Sequence, residues 1–167
     1  MKKFVIRYGI LGASISIALG LLNWFFIAPA YGPKTSESIG YLTIIISLLT
    51  IPLGIKYYRD KLNNGLVSFK DGFKIGTGIT LIASIIMGLY GMLFFAIEGD
   101  DFEAWQQKWF SPEELAQAQL QMATMPEYMQ TPLFQGVVMF IMVFLIGTII
   151  NLISAIVLKR TARGTSN

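Results

Sequence analysis

The hydrophobic positions of this chain gather into four long blocks, spanning about residues 8–28, 39–55, 75–97 and 133–158. No Asp, Glu, Lys or Arg lies in the middle of any block. A bilayer core about 30 Å thick needs roughly 20 mostly apolar residues per helix, at about 1.5 Å of rise each. The pattern therefore predicts an all-α fold: a four-helix transmembrane bundle forming one integral membrane domain over residues 1–167. Tyr57 and Tyr58 close the second block at headgroup level, and Lys159-Arg160 stops the fourth. Pro52 frees the carbonyl of Leu48 and should kink or end the second helix.

The polar stretches between the blocks set the orientation. With the N-terminus inside, the inner segments hold Lys2, Lys3, Arg7, Lys56, Arg59, Lys61, Lys70, Lys74, Lys159, Arg160 and Arg163, against Asp60 and Asp71. Outside are Lys34 and Lys108, facing Glu37, Glu98, Asp100, Asp101, Glu103, Glu113, Glu114 and Glu127. Eleven bases less two acids leave +9 inside; two bases less eight acids leave −6 outside. Positive residues favour the cytoplasmic side, so both termini are expected in the cytoplasm of a multi-pass bacterial inner-membrane protein. Met1-Lys2-Lys3 with Ala28-Pro29-Ala30 imitates a signal peptide with an A-x-A site. The apolar run of about 20 residues exceeds a usual h-region of about 7–15, so the first helix is expected to stay.

Composition narrows the chemistry. Of 167 residues, 54% are hydrophobic and 14% charged, against about 25% charged in soluble domains. A soluble globule, a disordered chain and a nucleic-acid partner are disfavoured. The absence of Cys removes disulfides and thiol catalysis, and the absence of His removes the usual metal ligand and general base. No catalytic, cofactor or metal site is expected.

In lipid, helices are held by close packing, which stripes of small residues permit. The third helix carries Gly72, Gly76, Thr80, Ser84 and Gly88 at every fourth position. The first has Gly12, Ser16 and Gly20, and the fourth Gly147, Asn151 and Ala155. These are the helix-packing candidates, expected to form the internal seam of the bundle or to leave one stripe for a partner helix. Most Ser and Thr hydroxyls can bond their own i−4 carbonyl. Asn151 cannot satisfy itself so easily and is expected to bond across to another helix, or to touch a ligand.

The outer connection over residues 29–38 is too small for a site. The second, residues 98–131, opens with four carboxylates interleaved with Phe102, Trp105 and Trp109 on one helical face. Ser111-Pro112-Glu113-Glu114 is a helix start with a capping box. Leu115, Ala118, Met122 and Met125 then repeat at 3-4-3 spacing. An extra amphipathic helical segment over about 101–125 is expected, resting on the bundle or headgroups. Methionine-rich faces are adaptable, so Trp105, Trp109, Leu115, Met122 and Met125 are the partner-docking candidates. The carboxylate spacing matches no calcium loop.

The inner connection contains Asn63-Asn64-Gly65, a tight turn, and Ser68, a helix cap. Its bases lie where anionic lipid attracts them by about 1 kcal/mol each. The run IKYYRDKLNNGLVSFKDGFKIG, residues 55–76, resembles the signature loop of a family of small bacterial inner-membrane proteins, domain of unknown function 4199, common in Bacteroidota. The basic start, the polar segment before the last helix and NLISAIVLKR near the end are similar too. The resemblance implies a four-span fold and an inner-membrane location, and brings no residue roles.

The expectation for function is a non-enzymatic accessory or structural subunit of a larger membrane complex. Its partners would be membrane lipid and a membrane protein or a second copy. The alternative is a lipid- or small-molecule-binding or transport protein, with a weakly polar cavity around Asn151, Ser154 and Thr80.

Overall fold

The computed structural model describes residues 2–161. Arg163, one of the bases assigned to the inside, lies outside the described residues, as does the side chain of Lys2. Among the described residues the chain is all-helical and has no strand. Helix α1 (Lys2–Leu22) passes through a π-helical turn, Asn23–Ile27, into α2 (Ala28–Leu48). Then come α3 (Thr50–Tyr57), α4 (Phe69–Trp109), α5 (Pro112–Thr124) and α6 (Pro132–Leu158). Three stretches are long and apolar enough to cross a membrane: Lys3–Leu62, Phe69–Trp109 and Pro132–Leu158.

The first of these folds back on itself. Gly32 breaks the helix at φ 74° and ψ −172°, a conformation open essentially to glycine alone, and Pro33 restarts the next turn. Beyond it the two arms run antiparallel. The Asn23 amide donates to the Ser36 carbonyl at 2.9 Å, and a Cβ on Gly12 would lie 3.0 Å from the Ser47 carbonyl. Residues 29–38 are thus helical on both sides of a single-residue reversal, and not a loop. Prolines at 29 and 33 each sit near a helix start, where no N–H is needed.

The second arm is interrupted at Leu49, three residues before Pro52. There Leu49 N–H bonds Ile46 in a tightened turn, and the Ser47 and Thr50 hydroxyls satisfy the carbonyls of Ile44 and Ser47. Asn64 (φ 50°) and Gly65 (φ 79°) make the turn before α4. Ser68 Oγ caps α4 by accepting from Asp71 N–H at 3.1 Å. Val67 and Arg160 exchange two backbone hydrogen bonds of 2.8 Å, pinning the start of α4 to the end of α6.

Helix α4 has 41 residues. At about 1.5 Å each it is about 60 Å long, twice a bilayer core. Its apolar part ends near Ile97, and it continues unbroken through the acidic stretch to Trp109. The amphipathic segment expected over 101–125 is therefore two pieces: the end of α4, and a separate α5 begun by the Ser111–Glu114 capping box.

Candidate functional site

Helices α4 and α6 pack antiparallel along their small residues. Gly72 meets Ala155 with 3.6 Å between a would-be Cβ and the alanine, Gly76 meets Asn151, Thr80 meets Gly147, and Gly88 meets Gly136 and Phe140. Ser84 is buried in the same line. From α1, Gly12 seats the Thr50 hydroxyl and Ser16 is buried, while Gly20 is half-buried with the Tyr90 hydroxyl 3.8 Å from its would-be Cβ. All three stripes therefore turn toward neighbouring helices of the same chain.

Asn151 is the polar centre of the α4–α6 seam and has no exposed surface. Its Nδ2 donates to the Phe73 carbonyl and the Thr77 hydroxyl, both at 3.0 Å. Its Oδ1 has no hydrogen-bonding partner among the described residues and lies directly over Gly76, where the glycine Cα–H is the only group that fits. With Asn151 and Thr80 at 0% exposure and Ser154 at 7%, the cavity anticipated around these three is closed by packing, since the small residues that line it draw the helices together.

A larger open space lies at the other end. Trp24, Phe94, Phe102 and Trp105 form an aromatic cluster with centroid spacings of 5.4–5.9 Å. Trp24 Nε1 donates to Glu98 at 3.1 Å, and Trp105 Nε1 to the Ala28 carbonyl at 2.9 Å. The Trp109 ring covers Gly32, 2.7 Å from a would-be Cβ. Trp105 and Trp109, read as docking residues, are in fact engaged in fastening the end of α4 to the α1–α2 reversal.

Beside this cluster on α4, sharing Phe102 with it, lies a chamber of about 470 Å³. Its α4 wall carries Phe95, Phe102, Asp100 and Glu103; its opposite wall carries Met122, Met125 and Met129. The methionine wall is held by glutamines. Gln130 Nε2 donates to the carbonyls of Met122 (3.0 Å) and Met125 (3.3 Å), and Gln135 Nε2 to that of Met129 (3.4 Å). Met122 and Met125, expected to face a docked protein, line this chamber, and Leu115 on the same face of α5 is half-buried. Sequence periodicity found the apolar face of α5 but could not say that it turns toward α4 across a gap. Met129, Gln130 and Gln135 escaped notice, since they fall after Pro126, outside any helical repeat. Asn23 was missed as well; it is a lone amide inside the first apolar block, which is the signal that could have found it.

The chamber offers carboxylates, amides, thioethers and aromatic rings, a set that holds a ligand by shape and charge. Among the described residues no three Asp or Glu converge as a metal site would require.

Fold and site together define an all-helical protein with helices long and apolar enough to cross a membrane and a ligand-sized chamber at one end. The chain belongs to the family described as protein of unknown function (DUF4199), whose model matches residues 7–160. No curated protein and no solved structure matches the chain.

Proposed function

We propose that the chain is a non-enzymatic, four-crossing protein of the bacterial inner membrane that binds a small lipophilic molecule in the chamber between α4 and α5. The chamber carries this reading: about 470 Å³ falls within the roughly 300–1,000 Å³ of small-molecule sites, and aromatic and thioether side chains line it together with carboxylates and amides that can orient a ligand. Both arms of the Lys3–Leu62 hairpin are long enough to cross, which with α4 and α6 would make four crossings with both termini on one side, the cytoplasmic one on this reading. The charge difference, +9 against −6, supports that orientation. Binding without catalysis is favoured because the chain has no His or Cys and the chamber pairs no nucleophile with a base.

Native mass spectrometry of the full chain from mild detergent, beside Gly99→Phe, tests this reading. Gly99 lines the chamber, and a Cβ there meets nothing within 4 Å, so the phenyl ring can enter without a backbone clash. A small-molecule adduct present in the wild type and absent from G99F is expected; equal spectra would refute the site.

One observation favours a second reading, an accessory subunit joined to a membrane-protein partner or a second copy. No residue of α5 is buried, and Leu120 on its far side is 68% exposed. Cross-linking from a residue at 120 in native membranes would give one discrete product on this reading and none otherwise.

A further inference from the structure

We infer that the outer chamber selects lipophilic organic cations, an inference that rests on the small-molecule reading above. Every formal charge on its lining is negative: Asp100 and Glu103, both exposed on α4. Neither forms an ion pair; among the described residues the one ion pair is Arg59–Asp60, in the segment before α4. The nearest base along α4, Lys108, is directed away by helical geometry, since at about 100° per residue it falls on the side opposite Phe95, Gly99 and Glu103. Its ammonium lies 5.9 Å from the Trp109 ring centroid instead.

The rest of the lining suits the body of such a cation. Phe95 and Phe102 meet edge to face with centroids 5.5 Å apart, and an aromatic face attracts a cation within about 6 Å. Thioethers are polarisable and adapt to irregular apolar shapes, and here the glutamine clamps fix the methionine backbone while leaving the side chains to adjust. An anion of the same shape would meet two carboxylates of its own sign, whose repulsion solvent weakens but does not reverse. A neutral body of the same size would gain the apolar contact alone.

The test uses three probes of matched shape on the full chain in nanodiscs, by equilibrium dialysis against empty nanodiscs: tetraphenylphosphonium, tetraphenylborate and triphenylphosphine oxide. The expected result is saturable one-to-one binding of the phosphonium, at least tenfold tighter than either other probe. Asp100→Asn with Glu103→Gln should weaken the phosphonium at least tenfold and leave the phosphine oxide unchanged. Gly99→Phe should remove binding of all three. Saturable binding of the borate or the phosphine oxide as tight as the phosphonium would overturn charge selection and leave the chamber a small-molecule site. Saturable binding of none would overturn the small-molecule reading itself. Phosphonium binding that survives the double substitution would place the cation elsewhere and overturn the inference.

Discussion

Gly76 and Asn151 occupy one another's space: the amide oxygen of Asn151 lies where a Cβ on residue 76 would be. Neither residue can change alone without disturbing the other. Gly76→Ala is expected to destabilise the protein by about 1–3 kcal/mol, the usual cost of overpacking. Asn151→Ala should cost less, about 0.6–1.7 kcal/mol for an interhelical hydrogen bond in a membrane. The double variant should be more stable than the sum predicts, since removing the amide makes room for the methyl. Thermal unfolding in detergent, followed by tryptophan fluorescence, measures all four corners of this cycle.

Gly32 is constrained twice, by a positive φ and by the Trp109 ring above it. Gly32→Ala should cost about 1–3 kcal/mol for the backbone strain alone, and more with the ring in place. Trp109→Ala should therefore rescue G32A in part and never fully. The midpoint of denaturant unfolding for the two single variants and the pair decides it.

Trp105→Phe keeps the aromatic stacking and deletes the donor to the Ala28 carbonyl. The loss expected is about 1–3 kcal/mol, the cost of an unsatisfied group. It should concentrate at the reversal, seen as faster amide exchange around residues 28–33, with α6 unchanged.

The capping box of α5 makes a pH prediction. Backbone and side-chain hydrogen bonds from Ser111 hold the Glu114 carboxyl below its ordinary value. A lowered folded-state pKa gives stability that is present above the unfolded value and lost as pH falls through the folded one. Exchange at the Ser111 amide should therefore quicken on acidification below the usual carboxylate range. In Glu114→Gln, whose amide can accept the same bond without titrating, exchange should lack that acid step. Equal acid profiles would remove Glu114 as the cause.

The chain lacks cysteine, so single introduced thiols report topology directly. Ser68→Cys should resist a membrane-impermeant maleimide in intact cells and react after lysis, whereas Gln119→Cys should react in both. Labelling of both residues from the same side would refute the four-crossing orientation.

The helices were legible because lipid imposes a simple rule on length and polarity, and the seam because Gly76, Thr80 and Gly147 mark close approach by their size alone. Two features were not. The reversal at Gly32 reads as a loop, because Pro29, Gly32 and Pro33 interrupt helices as often as they begin them. The chamber depends on where α5 settles relative to α4, which is governed by Phe110, Ser111 and the Gln130 clamp. Those contacts join residues that no periodicity relates.

The paired backbone bonds between Val67 and Arg160 give the α4–α6 pair the mechanics of tongs. The two shafts are pinned at one end and packed along their small residues as far as Gly88 and Gly136. Beyond that point α5 stands beside α4 with none of its residues buried. Splaying of the pair is therefore easiest at the far end from that pin, the end where the chamber lies.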